Sequence, residues 1–417
     1  MEINRDYHLQ KLIDSKHNGM IKVVTGMRRC GKSYLLFNLF CQHLKQEGVS
    51  DDHIIKIDLE DRRHAELRDP DKLLAHIDNQ MKDQKMYYIL LDEVQHVRDF
   101  EDVLNSYLKI ENADVYVTGS NSKFLSKDVI TEFRGRGDEI HVTPLSFSEF
   151  FSAFEGSREQ ALEAYLLYGG LPKILAFPTA EKKEEYLKSL FSTTYLTDIK
   201  ERYNIKNDED LEELIDVIAS SIGGLTNPTK LENTFQTVKH SNISHTTIKL
   251  YLDFLQDAFL IEKAVRYDIK GRRYIDTPAK YYFTDLGLRN ARINFRQYEE
   301  THMMENLIYN ELRQRGMSVD VGVVVKNEKD DKGVSVRKQL EVDFVCNKGS
   351  QRYYIQSALR LPSEEKRQQE IRSLKNINDS FRKFVITEDL ISRHQDDDGI
   401  IYMNIYEFLL DRNSLKL

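Results

Sequence analysis

The stretch Gly26-Met27-Arg28-Arg29-Cys30-Gly31-Lys32-Ser33 directly follows the apolar run IKVVT and leads into SYLLFNLFCQHLKQ, which has a helical pattern of apolar residues. The two glycines and the closing Gly-Lys-Ser leave the backbone few options. A buried strand has to end in a tight turn that opens a helix at Lys32. Strand-turn-helix units of this kind belong to sheets covered by helices, so this one feature commits the start of the chain to the α/β class.

The same turn is built for phosphate. Its backbone N–H groups and the positive end of the helix form an anion cradle, so Gly26, Met27, Arg28, Arg29, Cys30, Gly31, Lys32, Ser33 and Tyr34 are the expected nucleotide-binding residues. Lys32 would reach the β and γ phosphates and the Ser33 hydroxyl would ligate Mg2+. Four more apolar runs, HIIKIDLE, YYILLDEV, DVYVTGS and EIHVTPL, have the length and β-branched or aromatic content of buried strands, which predicts a parallel sheet. YYILLDE ends in Asp92-Glu93, where Asp92 would hold the Mg2+ shell and Glu93 would polarise the attacking water. HIIKIDLE lies between the two motifs and is expected as an extra strand inserted between theirs.

At the tip of DVYVTGS, Asn121 is the first candidate and Ser120 the second for contact with the γ phosphate or the water, with a turn-forming Asn as the plain alternative. In TEFRGRGDEI, glycines flank Arg134 and Arg136. Either arginine could act as a finger on the nucleotide of a neighbouring subunit, or bridge structurally to Asp138 or Glu139.

The set GMRRCGKS, ILLDE, TGSNS and FRGRG, followed by PLSFSEF, resembles a widespread group of bacterial and archaeal ATP-binding proteins of the AAA superfamily, whose ATPase domain is fused to a C-terminal region of unknown function. The resemblance implies ATP as the nucleotide, which the residues alone do not separate from GTP. It also implies a helical lid after Phe150, and SREQALEAYLLYGG and KKEEYLKSLFSTTYLTDI read as its helices, with Gly169-Gly170 and Pro172 as a stop.

From 207 to 296 two helical stretches precede strand-like runs around IKGRRYIDTP. Ser244 is expected to cap a helix that turns Ile248, Tyr251, Leu252, Leu255 and Phe259 inward, and the whole reads as a winged helix with Lys270, Arg272 and Arg273 on its wing. Double-stranded DNA and a protein contact are equal candidates for it, since Asp253 and Asp257 stand beside His245, Thr246 and Lys249 on the exposed helix face. From 297 onward, Glu305 in a helix and Asp343 in a strand resemble the layout of restriction-endonuclease-like folds. The layout then breaks. Gln356 stands where an acidic residue is expected and Ala358 where a lysine is, so a binding platform for a partner protein is expected rather than cleavage.

The expected organisation is therefore a P-loop ATPase domain at 1–150, a helical lid at 151–206, a winged helix at 207–296 and a degenerate nuclease-like α/β domain at 297–417. ATP and Mg2+ are the expected cofactors, and a second copy of the chain is the partner implied by an arginine finger. A net charge of −8 over 417 residues argues against coating nucleic acid through a global basic field. Three scattered cysteines, Cys30, Cys41 and Cys346, suggest neither a zinc site nor a disulfide framework. No apolar run is long enough to span a bilayer and the start MEINRDYHLQ has no signal-peptide core, so a cytoplasmic protein without a membrane partner is expected.

Overall fold

A computed structural model of the chain describes residues 3–119, 133, 135–205, 208–239, 243–329 and 335–416. They fall into two compact units, one made of residues 1–145 with 171–173 and the other of 146–170 with 174–417.

The first unit is built on five parallel strands, β1 (Ile21–Thr25), β2 (Ile54–Asp58), β3 (Tyr87–Asp92), β4 (Ala113–Thr118) and β5 (Gly137–His141), in the spatial order β2-β3-β4-β1-β5. β1 and β3 are buried along their whole length, as strands covered on both faces must be. Ile57, Ile89, Leu91, Val117, Phe100 and Leu104 pack together on one face. The order corrects one expectation. HIIKIDLE, as β2, is an edge strand beyond β3, and the strand inserted between β1 and β3 is β4. A parallel crossover may pass a neighbour, so order along the chain is not order across the sheet.

One charged pair sits inside this sheet. Lys22 on β1 donates to Asp114 on β4, and the Tyr116 hydroxyl donates to the same carboxylate at 2.9 Å. Buried ions are tolerated only when paired and hydrogen-bonded in this way.

The second unit begins with helices. Ser146 and Ser157 each form a reciprocal capping box, opening Phe147–Ser152 and Arg158–Tyr168. The second of these helices stops at Gly169 in a left-handed turn (φ 74°), where the sequence places its stop. Helices Ala180–Leu190, Asp208–Ser220 and Pro228–Thr234 follow, and Ser244 caps His245–Asp257 through the Thr247 N–H. Ile248, Tyr251, Leu252 and Leu255 are buried on that helix as expected, but Phe259 lies beyond its end at φ 55° and is only half-buried.

The hairpin after this helix is not a free wing. Its strands β6 (Ile261–Asp268) and β7 (Arg273–Phe283) belong to an eight-stranded sheet with β8 (Ser318–Lys329), β9 (Ser335–Lys348), β10 (Gln351–Ala358), β11 (Arg382–Thr387), β12 (His394–Gln395) and β13 (Ile400–Asn404), ordered β12-β13-β11-β10-β9-β8-β6-β7. β6 pairs in parallel with β8, Arg266 to Asp268 against Val321 to Val323. The expected boundary at 296/297 therefore cuts through a single sheet, and the three modules expected after residue 150 share one compact unit. β6 and β8 are separated in sequence by β7 and two helices, and their pairing covers an edge that β6 would otherwise leave open.

Helix Glu300–Gln314 contributes Tyr309 to a ring stack with Tyr282 of β7, and helix Glu364–Lys375 places Ile371 and Leu374 against Val342 and Tyr354 in the core.

Candidate functional site

The first candidate site lies at the carboxyl edge of the five-stranded sheet. Beyond β1, Gly26 adopts φ 136° and passes so close to β5's exit that an added Cβ would lie 2.1 Å from the Val142 carbonyl oxygen. No side chain fits there, which explains the first glycine of the motif. Arg29 takes φ 61° and Gly31 φ 102°, and the helix opens at Lys32. Left-handed backbone at a non-glycine residue is the kind of local strain that collects at binding loops. The loop is fastened from below by a residue that the motif reading missed. Arg5, 3% exposed, donates to the Cys30 carbonyl at 2.9 Å and to the Thr143 carbonyl at 2.7 Å. Its signal in the sequence is absent, because a lone arginine ahead of a short helix has nothing to mark it.

Lys32 is buried, and its ammonium donates to the Gly26 and Met27 carbonyls at 3.0 Å each. These are weak partners for a buried cation, and phosphate oxygens make stronger ones. Ser33 and Tyr34 are exposed, as are the outward-facing Arg29 and, to a lesser degree, Arg28. The motif's two halves face each other: the Ser33 hydroxyl lies close enough to Asp92, at the end of β3, to favour its charged form. Burial pushes the Asp92 carboxyl up from its ordinary range, while hydrogen bonds from Thr118 and Ser33 pull it back.

Thr118, the last residue of β4, was not among the predicted site residues. Its hydroxyl donates to Asp92 Oδ1 and accepts the Glu93 N–H at 3.1 Å. One side chain thus fixes both acidic residues, and it can do so only because β4 is the inserted strand. Glu93 itself has φ 51° and its carboxylate accepts from the Gln95 amide.

A hydroxyl beside a carboxylate is a hard-oxygen donor set of the kind that holds Mg2+, which keeps most of its shell as water and phosphate oxygen. Ser33 and Asp92 fit that ion. Among the described residues no group of three or more acidic, His or Cys side chains could hold a metal.

Asn121, Ser120 and Arg134 lie outside the described residues. Arg136 is exposed at the start of β5, where its carbonyl accepts the Ile21 N–H at 2.9 Å. That is the amino edge of the sheet, one strand length from Lys32 and Asp92, so within this chain Arg136 does not join the site. Its expected bridging partners are engaged elsewhere, Asp138 with Asn18 at 2.7 Å and Glu139 with Thr25 at 2.7 Å.

The second candidate site, in the eight-stranded sheet, does come together around Glu305 and Asp343. It contains a cation that the sequence layout did not include. Lys280 of β7 donates to Glu305 at 2.8 Å and to Glu341 at 2.8 Å, and the Tyr282 hydroxyl donates to Glu305 at 2.5 Å. Asp343 accepts the Ser357 N–H at 2.8 Å. Burial works against the Lys280 charge, but Glu305, Asp343 and Glu341 together outweigh it and hold the ammonium above the ordinary lysine range. Burial and then Glu305 drive the Asp343 carboxyl well above its own. Gln356 turns toward the Ser373 hydroxyl at 3.5 Å, and Ala358 packs in the core. An internal ammonium offsets part of this cluster's negative charge.

Residues 18–151 match a family described as the AAA domain. An uncharacterized protein of Haemophilus influenzae is 33% identical over 414 residues, covering 98% of each chain. This chain belongs to that family of AAA-domain proteins. Residues 159–299 match a domain of unknown function. An uncharacterized protein of Methanocaldococcus jannaschii is 29% identical over 359 residues, 82% of this chain and 74% of its own. Among solved structures, a Walker-type ATPase of Pyrococcus abyssi aligns with TM-score 0.51 over 70% of this chain and 96% of its own, at 16% identity, a likeness of fold. Among the described residues no helix is long and apolar enough to cross a membrane.

Replacing Thr118 by Val should strand the Glu93 N–H and remove a donor from Asp92, costing about 1–3 kcal/mol, whereas Thr118→Ser should keep most of it. Calorimetry of the first unit's transition checks this, and equal melting of the two variants would refute the bridging role. Lys280→Met should cost about 3–5 kcal/mol by leaving buried carboxylates unneutralised, with partial recovery in Lys280→Met/Glu305→Gln. Denaturant titration of the single and double variants measures the coupling, and strict additivity would reject the cluster.

Proposed function

We propose that the protein is a Mg2+-dependent ATPase whose turnover switches the arrangement of its second unit. The observation that carries this reading is the juxtaposition of the phosphate-cradling loop, with Lys32 turned onto the loop's own Gly26 and Met27 carbonyls, and the acidic strand end, where the Ser33 hydroxyl faces the Asp92 carboxylate that Thr118 holds. Lys32 exchanges the Gly26 and Met27 carbonyls for β and γ phosphate oxygens, Ser33 and Asp92 hold Mg2+, and the bound ion supplies charge neutralisation at the phosphates. Glu93, released from Gln95, accepts a proton from water as the water oxygen bonds the γ phosphorus and the bond to the bridging oxygen of ADP breaks. Thr118 holds the acidic pair in place during this step.

Arg136 at the far edge of the sheet, and Arg134 beside it in sequence, fit the role of fingers supplied to a neighbouring copy's nucleotide. The platform moved by turnover is the unit containing the helices from 146 onward and the eight-stranded sheet. Its Lys280-bridged cluster favours binding over cleavage.

Glu93→Gln should lower kcat by about 10²- to 10⁴-fold while sparing nucleotide affinity. Lys32→Ala should weaken ATP binding by at least about tenfold, the loss of one charge-assisted contact. Steady-state turnover and equilibrium titration with a fluorescent ATP analogue separate the two, and an unaltered Glu93→Gln rate would reject its role as base. For arginines acting between copies, specific activity should rise with protein concentration and fall in Arg136→Ala. A flat profile would leave the site self-sufficient.

A further inference from the structure

The eight-stranded sheet carries a second feature, which runs outward from the Lys280 cluster. β6 pairs with β8 only over Arg266 to Asp268, whereas the antiparallel β8–β9 pairing continues from Val324 opposite Leu340 out to Lys329 opposite Ser335. A two-stranded ribbon therefore runs on past the β6–β7 hairpin. The hairpin's turn lies beside it, with the Lys270 ammonium 3.3 Å from the Val325 carbonyl.

Side chains alternate along strands, so the ribbon and hairpin have two distinct faces. One carries Tyr267, Val324 and the half-buried Leu340 and is packed in the core. The other carries Arg266, paired across the hairpin with Ile275, then Arg273 two residues back on β7, and on the ribbon Asn327 opposite Arg337, with Gln339 next along. Asn327, Arg337, Gln339 and Arg273 are exposed. Arg266 is 9% exposed, yet it is incompletely bonded. One guanidinium nitrogen, Nη2, donates to Gln339 at 2.6 Å, while Nε is buried without an acceptor among the described residues. The Arg266 guanidinium thus adds a cation with spare donor capacity to a row of exposed arginine and amide side chains. The carboxylates on this face are already engaged: Glu341 by Lys280, and Asp268 by the Gly271 N–H at 2.9 Å and by Arg273 at 3.6 Å.

We propose that this face of the ribbon and hairpin binds double-stranded DNA, with Arg266, Arg273 and Arg337 on phosphates and Asn327 and Gln339 at base edges. A two-stranded ribbon matches the width of the B-form major groove, about 12 Å, and Arg, Asn and Gln are the side chains that read base edges there. A single strand is disfavoured, because the exposed aromatic nearby, Tyr274, pairs opposite Tyr267 on the other face and offers this one no stacking platform. Arginine and amide groups on a projecting ribbon favour a grooved polyanion over an acidic protein surface. The proposal goes beyond the ATPase reading and does not depend on it.

The test is fluorescence anisotropy of a short labelled duplex of mixed sequence with the full chain, in low salt, with and without ATP. The wild type should bind, with log K falling linearly against log salt. Arg337→Glu, at an exposed position with no ion pair among the described residues, should weaken binding at least about tenfold and flatten the salt slope by about one, with melting temperature unchanged, and Arg273→Gln should weaken binding in the same direction. Arg266→Gln should weaken it as well. The ATP-binding variant Lys32→Ala should still bind the duplex without nucleotide, which keeps the fate of this proposal separate from that of the ATPase. Absence of binding in low salt overturns the proposal. So does an equal loss in Lys249→Glu, which would move the contact to helix His245–Asp257, and so does equal competition by polyglutamate or single-stranded RNA.

Discussion

Everything proposed for the first unit depends on one hydroxyl reaching across from the inserted strand. Thr118 ends β4 beside β3, and its oxygen serves the Asp92 carboxylate and the Glu93 N–H together. Were β4 at the edge of the sheet, the acidic pair would end in solvent, and Ser33 would have a mobile carboxylate to meet. The position of β4 rests in turn on hydrogen bonds to β1 on one side and β3 on the other, and on the buried Lys22–Asp114 pair that ties β1 to β4 lower down. The site's geometry is thus a property of strand order before it is a property of the residues in the motifs.

The sequence made much of this unit legible. The phosphate loop, its helix, the acidic strand end and all five strands are local patterns, in which apolar runs and glycines speak for their own few residues. Strand order was not legible, since HIIKIDLE lies between the motifs in the chain and outside both in the sheet. Thr118 and Arg5 were missed for the same reason. Each acts through a neighbour that is distant in sequence, and neither residue type is unusual where it stands.

The second unit shows the limit from the other side. Glu305 and Asp343, linked by pattern, do lie close together, and Ala358 packs in the core. The replacement charge comes from β7, outside the expected domain, because the boundary at 296/297 was drawn where the hairpin gives way to a helix and a new alternation of strands and helices. Such a change of pattern marks a domain boundary only if the two sides bury separate cores. Here Tyr267 of β6 and Tyr354 of β10 lie in the same core cluster, so the sheet ignores the change.

The shared sheet bears on how such a chain can descend. β6 donates and accepts hydrogen bonds along β8, and Lys280 supplies the charge that Glu305 and Glu341 require. A recombination event joining the first 296 residues of one lineage to the remainder of another would have to match a strand register and a charge count at the same seam. Either half alone would expose a bare strand edge and an unbalanced buried charge. A substitution on the hairpin therefore acts on the sheet it completes as well as on its own strand pair.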